Sequence, residues 1–235
     1  MSFFERLTGV FSRPKQTFAA VAEKPVWVDV LVVILIALAA YSVVIAPYVK
    51  HEQVQMIKDS VKLKERMGEE RFNKYIEGLE APPTAWSVIQ TVGGAPLFFI
   101  LAMLVQGGLL MLFGHLTSTQ GTFKQVFAAL VHANLIHAVA GNGVRAILTL
   151  TRRSVMQVST GLPLLFPKME VTSTPYIVLA QVDFFQLWLF GVVAFGLAAA
   201  FKIGLKKALV LSYTVWFLKA LVNIGFALFG MSFLR

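Results

Sequence analysis

The chain has 235 residues, of which 57% are hydrophobic and 14% charged, and its mean hydropathy is +0.72; ordinary soluble domains carry about 25% charged residues, so this composition indicates a membrane protein. The absence of cysteine excludes a disulfide framework, a thiolate nucleophile and a thiolate metal site. The formal net charge of +9 comes from basic residues dispersed along the chain, which favours anionic lipid rather than nucleic acid as the partner.

Residues 1–25 predict two short amphipathic helices at the membrane interface. They are expected to be retained, because no continuous apolar run of signal-peptide type follows the first charges. Ser12 is expected to cap the second helix, ahead of Pro14. The first helix has an apolar face that we expect to lie against lipid, formed by Phe3, Phe4, Leu7 and Phe11.

The first membrane span is predicted over residues 26–49, with Asp29 in its first turn, where the helix dipole favours an acid. Residues 50–85 then change character, because acidic and basic residues alternate at helical spacing and balance each other. They predict a helical hairpin outside the membrane, interrupted at Gly68. This insert is either a solvated spacer or a docking surface for a protein partner or a second copy. The second span follows over 86–116.

The third span, 123–150, contains the chemically most informative residues. Asn134, His137 and Arg145 fall on one stripe of an α-helix, which predicts a polar seam that faces the bundle interior. His132 lies on another face, and its spacing from His137 directs the two imidazoles apart. We therefore expect no metal site here.

The fourth span is predicted over 178–201 and contains Asp183, and the fifth, over 208–229, contains Lys219 and Asn223. An ionisable group at membrane depth is costly, so each should face the bundle interior and have a partner. Together with the span-three stripe, these groups predict one intramembrane polar seam. The turn between the two spans is basic and is expected to meet anionic headgroups through Lys202, Lys206 and Lys207.

Five spans place the two ends of the chain on opposite sides of the membrane. The short basic turns after the second and fourth spans favour a cytoplasmic N-terminus and an extracytoplasmic C-terminus in the cell (inner) membrane. In that topology Arg145 and Asp183 lie at similar depth, roughly 7 Å inside the outer boundary. We predict that they form a buried ion pair, with His137, Lys219 or water as the other possible partners of Asp183.

Five short motifs are distributed along the chain: PKQTF at 14–18, KPVW at 24–27, GTFKQV at 121–126, VDFFQLW at 182–188 and GLKKA at 204–208. A sequence with these motifs and five spans resembles the Yip domain family, multi-span membrane proteins named for their interaction with Ypt/Rab GTPases. The insert after the first span resembles the prokaryotic branch, for which no Rab GTPase partner is expected. The resemblance supplies no catalytic residue set.

The predicted fold is therefore all-α, a polytopic five-helix bundle with N-terminal amphipathic helices and an extramembrane helical insert, in one Yip-like domain over 1–235. The expected function is that of a non-enzymatic membrane protein that organises membrane or partner proteins, with no catalytic residues, metal or cofactor. The alternative is a permease or lipid-handling transport protein with a polar path lined by spans three to five. An intramembrane enzyme is the weakest hypothesis, because the acid at membrane depth is single and no nucleophile motif occurs.

Overall fold

The computed structural model describes the backbone of residues 1–156 and 158–234, and the side chains of the same residues without Thr91 and 232–234. Gln157 and Arg235 lie outside this description. The helices, in chain order, are α1 (Phe3–Ser12), α2 (Pro14–Glu23), α3 (Val28–Lys58), α4 (Val61–Met67), α5 (Glu69–Glu80), α6 (Ala85–His115), α7 (Phe123–Asn134), α8 (Asn142–Arg152), α9 (Thr174–Ala180), α10 (Phe184–Phe201) and α11 (Leu205–Leu234). A π-helical segment, Leu135–Gly141, joins α7 to α8 without a break.

Five helical stretches are long and apolar enough to cross a membrane, which confirms the predicted five-span, all-α architecture. They are α3, α6, the continuous α7 to α8 stretch, α10 and α11. We call them spans one to five. No strand occurs among the described residues, apart from an isolated bridge between Gly161 and Asp183.

The core lies between spans three and four. Every residue of α7 from Val126 to Asn134 is buried, and α10 is apolar around its whole circumference. A helix of that kind is stable only when other helices surround it. Accordingly α10 packs against α2, α7 and α11, while α3 and α6 cover the other side of α7.

Two glycines allow the close approach on which this core depends. A Cβ at Gly196 would lie 2.4 Å from the Cβ of Ala129, so α10 and α7 can touch only with glycine at this position. The second is Gly114, on α6. A Cβ at this position would lie 2.0 Å from the ring of Phe201, the fully buried last residue of α10. Larger side chains at either position would push spans two, three and four apart.

The N-terminal helices belong to the bundle, so the prediction that they only lie at the interface is wrong in part. α2 buries Phe18 and Val21 completely between α7 and α10. In α1, Phe3 and Leu7 pack against the core, whereas only Phe4, at 74% exposed, and Phe11, at 40% exposed, keep the predicted outward position. Apolar side chains that can contact the fixed core bury their surface there, which a helix considered by itself does not reveal.

The caps of these helices also differ from the prediction. Ser12 does not cap α2; it is the last residue of α1, and its hydroxyl donates to the carbonyl of Thr8. Ser2 caps α1 instead, in a reciprocal capping box with Glu5. The hydrogen bonds from Ser2, first of all that from its backbone N–H, lower the pKa of the Glu5 carboxyl.

A polar cluster fastens α1 to spans one and three. Arg6 forms an ion pair with Asp29, and its Nη1 lies 3.2 Å from Nε2 of His132, whose side chain is fully buried. Since arginine can only donate, Nε2 accepts, and Nδ1 donates to the carbonyl of Ala128 at 2.8 Å. Asp29 is thus stabilised by the Arg6 guanidinium as well as by the dipole of α3, in whose first turn it lies as predicted.

The insert is organised differently from the predicted hairpin. Span one does not end near Val49, because α3 continues through Pro47 to Lys58, and only α4 and α5 are separate helices. Gly68, at φ +77°, separates them as predicted. The α3 extension and α5 share a small core of their own, formed by Ile57, Phe72 and Ile76. A transmembrane helix tolerates proline when the rest of its hydrogen-bond ladder continues.

Span four is shorter than the predicted stretch of residues 178–201. The predicted helix is interrupted after α9, which ends at Ala180. The next helix, α10, begins only at Phe184 and has Asp183 as its N-cap. Hydropathy does not detect this break because the residues on both sides are apolar. Span five begins earlier than predicted, so Lys206 and Lys207 lie in its first turn and only Lys202 lies in the connection; all three are exposed.

The Arg6–Asp29 pair generates a testable prediction. Arg6→Met should lower the free energy of unfolding by about 1–2 kcal/mol, because the pair is half-buried and lies between the values for exposed and fully buried ion pairs. Arg13→Met, at an exposed position in the same segment, is the control and should change it by less than about 0.5 kcal/mol. Thermal unfolding of the purified proteins in one detergent measures both. Equal melting temperatures for the two variants would show that the cluster does not stabilise the bundle.

Candidate functional site

The candidate site is built around Asp183, the N-cap of α10. Its Oδ1 accepts a hydrogen bond from the backbone N–H of Gln186 at 2.9 Å, which satisfies one of the free donors at the start of the helix. The backbone beside it is held by the preceding loop, because the N–H of Phe184 donates to the carbonyl of Thr160 at 3.0 Å. The carboxylate therefore has a fixed position at the end of span four.

Arg145, on α8, reaches this carboxylate from span three. Its Nη2 lies 3.0 Å from Oδ2 of Asp183, its Nε donates to the Thr160 hydroxyl at 3.1 Å, and its Nη1 donates to Oδ1 of Asn142 at 2.9 Å. The hydroxyl of Thr160 in turn donates to Asp183. The two charged side chains are only 15% and 11% exposed. The predicted Arg145–Asp183 ion pair is thus present, and each nitrogen of the guanidinium has an acceptor.

Gln186 connects this pair to the fifth span. Its side-chain Nε2 lies 3.1 Å and 3.0 Å from the two ring nitrogens of His137, and its Oε1 accepts a hydrogen bond from Nζ of Lys219 at 2.7 Å. Nδ1 of His137 is also 4.0 Å from Oδ1 of Asp183. One amide therefore links residues of spans three, four and five. The sequence signal that could have indicated this role of Gln186 is its polar side chain within the apolar residues of span four.

The six residues of the predicted seam do not all meet. Asn223 lies at the rim, where its Nδ2 donates to Oε1 of Gln181 at 3.2 Å. Asn134 lies apart, buried, and its amide donates to the carbonyl of Leu130 in its own helix. The predicted α-helical stripe is therefore wrong for Asn134. The π-helical segment that starts at Leu135 changes the angular spacing between residues 134 and 137.

These polar groups surround a cavity of about 260 Å³ at the end of spans three to five. Its lining comprises His137, Arg145, Val158, Ser159, Thr160, Tyr176, Ala180, Gln181, Asp183, Gln186, Trp216, Lys219, Ala220 and Asn223. Further along span four, the buried side chains of Leu189, Val193 and Leu197 pack into the core. The polar space thus belongs to one end of the bundle. We call it the polar cavity.

The charges of the polar cavity do not balance. Arg145 and Lys219 are two cations, and Asp183 is the one acid among the lining residues. Both oxygens of Asp183 are occupied, by Arg145, Thr160 and the start of α10. Lys219 has the neutral amide of Gln186 as its hydrogen-bond partner, and within the described part of the chain no carboxylate lies within 4.0 Å of its Nζ.

A second carboxylate holds the loop that covers the polar cavity. Glu52, on the extension of α3, accepts hydrogen bonds from the backbone N–H groups of Val155 and Met156, at 3.1 Å and 2.9 Å, and from the Ser154 hydroxyl. The Tyr176 hydroxyl donates to the carbonyl of Met156 at 3.3 Å. The sequence gives no signal for Glu52, because it is one of many acids in a charged segment. The insert and the cavity are therefore connected at the same end of the molecule.

The family is decided by a comparison with protein-family models, in which the Yip1 domain matches residues 8–227. The chain belongs to the Yip1 domain family. The match confirms the resemblance and includes every residue that lines the polar cavity, so the cavity lies within the family domain of this chain. Comparisons with curated proteins and with solved structures gave no match. What the cavity does is therefore argued from its geometry.

The unequal charges lead to a prediction about the ion pair. Asp183→Asn keeps an N-cap side chain but leaves two cations without an acid, and it should lower the free energy of unfolding by about 3–5 kcal/mol. Arg145→Met should cost less, about 1–3 kcal/mol, because it leaves one acid and one cation in the cavity, whose charges then sum to zero. Thermal unfolding in detergent ranks the two variants.

The double variant that combines Asp183→Asn with Arg145→Met completes the test. Its loss of stability should be smaller than the sum of the two single losses by about 0.5–3 kcal/mol, since the pair interacts directly. Asp183→Ala is the control for the cap and should cost about 1 kcal/mol more than Asp183→Asn. Strictly additive losses would mean that the two charges do not stabilise each other.

Proposed function

We propose that this Yip1-family protein is a non-enzymatic integral membrane protein that organises membrane or partner proteins, and that the α4–α5 insert is its docking surface. We also propose that residues 1–235 form one domain of which the insert is a part. The family membership supports a membrane protein of Yip1 type. The rigid attachment of the insert supports the organising role.

The attachment of the insert is the observation that carries the proposal. Lys50 donates to the carbonyls of Glu80 and Ala81, at 3.2 Å and 2.7 Å, and Lys58 forms an ion pair with Glu80 at 2.6 Å. With the small core between α3 and α5, these contacts hold the end of α5 against the α3 extension. A solvated spacer needs no such contacts, whereas a docking surface needs a fixed shape.

The outer surface of the insert has charges of both signs. α4 carries basic side chains in its last turn, Lys64 and Arg66, and α5 carries Glu69 and Glu70 in its first turn. A mixed and exposed pattern of this kind suits the polar rim of a protein interface better than an anionic lipid surface. A protein partner or a second copy is therefore the occupant that we propose.

The engagement of the cavity residues supports a non-enzymatic role. The carboxylate of Asp183 caps a helix and binds a guanidinium, and the amide of Gln186 joins three spans. Groups held in this way position helices and can bind a ligand. A general acid or base, in contrast, must be able to exchange a proton with a substrate.

The polar cavity is the specific observation in favour of the alternative, a permease or lipid-handling transport protein. A permease requires a polar path through the bilayer, but the core beyond the cavity is formed by apolar side chains of spans three and four. The cavity thus favours binding at one end over conduction. We keep transport as the second candidate.

For the orientation, we propose a cytoplasmic N-terminus and an extracytoplasmic insert and cavity in the cell (inner) membrane. The exposed lysines Lys124, Lys202, Lys206 and Lys207 support it, because they lie at the end of the bundle opposite to the insert. Contact of these lysines with anionic headgroups is part of the same proposal.

The orientation is tested with single cysteines, since the chain has none of its own. A membrane-impermeant thiol reagent added to intact cells should label Lys64→Cys and leave Lys206→Cys unlabelled, because both positions are exposed but lie on opposite sides. Both should react after the membrane is permeabilised. Labelling of Lys206→Cys alone in intact cells would reverse the topology.

The organising role is tested by photo-crosslinking in intact membranes. A photoreactive residue at Arg66 or Tyr75, both exposed on the insert, should give discrete protein–protein products, either a dimer or a complex with another protein. Phe98, at 74% exposed on α6, is the matched control and should give lipid adducts. If the insert positions give no more protein product than Phe98, the insert is not a docking surface.

A further inference from the structure

We propose that the polar cavity binds the phosphate group of an anionic phospholipid, with the lipid's apolar part in an adjoining groove. The proposal does not depend on the organising role of the insert. It is carried by three observations: the unbalanced cation, the free donors around it, and the groove.

Lys219 is the cation that lacks a counter-charge. Its side chain lines the polar cavity, and its ammonium lies against the Gln186 amide and 6.0 Å from the ring centroid of Phe190. A buried ammonium is stabilised far better by an anion than by one amide and one ring. With Arg145 paired to Asp183, the cavity has an excess of one positive charge, which the single negative charge of one phosphate diester would neutralise.

Donors for the phosphate oxygens are present on several sides. The ammonium of Lys219 has three N–H donors, and Gln186 accepts one of them. Asn223 uses one of its two amide donors on Gln181. The hydroxyl of Ser159 accepts from the N–H of Gly161 at 3.1 Å, and its own hydrogen is not used in a bond to another described residue. These groups converge on the same cavity.

The volume suits a phosphate group. About 260 Å³ is available, and one water molecule in the liquid occupies roughly 30 Å³, so the cavity can hold a group as large as several waters. It cannot enclose a lipid. The acyl and glycerol portions must therefore extend outside it.

An adjoining groove provides the place for them. This groove, of about 470 Å³, shares Ser159 and Tyr176 with the polar cavity. Its other walls are the side chain of Arg152 and seven apolar side chains: Met156, Pro163, Leu164, Phe166, Pro167, Met169 and Val171. Beside it, Leu165 is 71% exposed, which suits contact with lipid. A polar pocket with an excess cation next to an apolar groove is complementary to an amphiphile with an anionic head, and a soluble phosphate would use only half of it.

The test measures lipid binding to the purified full-length protein in detergent. Native mass spectrometry counts bound phosphatidylglycerol, phosphatidylcholine serves as the zwitterionic comparison, and inorganic phosphate serves as the soluble one. We expect one phosphatidylglycerol to bind more tightly than phosphatidylcholine and to raise the melting temperature, as a ligand of the folded state does. Inorganic phosphate alone should not reproduce this shift.

Variants assign the binding to the cavity. Lys219→Met should weaken phosphatidylglycerol binding about tenfold or more, because it removes a charge-assisted hydrogen bond, and Lys219→Arg should restore most of it. Lys74→Met, at an exposed lysine on α5, should leave it within about twofold. Asn223→Asp places a negative charge at the exposed rim and should also weaken binding, which keeps the test valid if Lys219→Met does not fold.

Three results would overturn the proposal. They are equal affinity for phosphatidylcholine and phosphatidylglycerol, unchanged phosphatidylglycerol binding in both Lys219→Met and Asn223→Asp, or a melting-temperature shift that inorganic phosphate reproduces in full. The last result would assign the cavity to free phosphate. Crosslinking at the insert would be unaffected in each case, so a failure of lipid binding is distinguishable from a failure of the organising role.

Discussion

The carboxylate of Asp183 is the group on which the arrangement of this end of the molecule depends. It caps α10, binds the guanidinium of Arg145 and accepts a hydrogen bond from Thr160, so it fastens spans three and four and the loop between them. An isolated acid at membrane depth would be destabilising. Here its compensation comes from three separate parts of the chain, and those parts are thereby fixed relative to one another.

The two ends of the bundle use buried charge in different ways. At one end, Arg6 and Asp29 balance each other next to the neutral ring of His132, and α1 closes over them. At the other end, Arg145, Asp183 and Lys219 leave one cation in excess beside an open cavity. Both clusters involve the continuous helix of span three. The charges of the first cluster therefore balance, while the second is the one for which we propose an anionic ligand.

The insert and the polar cavity lie at the same end and share a structural connection. Glu52 extends from the helix that carries the insert and binds three groups of the loop that covers the cavity. The proposed docking surface for a protein and the proposed binding place for a lipid headgroup are thus held on one framework. Such an arrangement suits a membrane protein that organises its surroundings, because both kinds of partner would meet it at the membrane surface.

The membrane character, the all-α class and the five spans could be predicted from the residues alone, because a bilayer requires apolar helices of a minimum length and both properties can be read locally along a chain. The sequence also predicted the Arg145–Asp183 pair, since depth within two antiparallel helices follows from counting residues. The Yip1 family membership was visible in its motifs and was confirmed by the family match.

Other features became visible only in the folded bundle. In the structure, Asp183 caps α10 after an interruption of the predicted span four, and a π-helical segment moves Asn134 out of the seam. Phe3, Leu7 and Phe18 belong to the core. Gln186 and Glu52 join distant segments of the chain. Each of these features depends on hydrogen bonds or contacts between residues far apart in the chain. Hydropathy and helical spacing are the same whether or not such a partner is present. For that reason several residues of the candidate site could be predicted from the sequence, but most of the contacts between them could not.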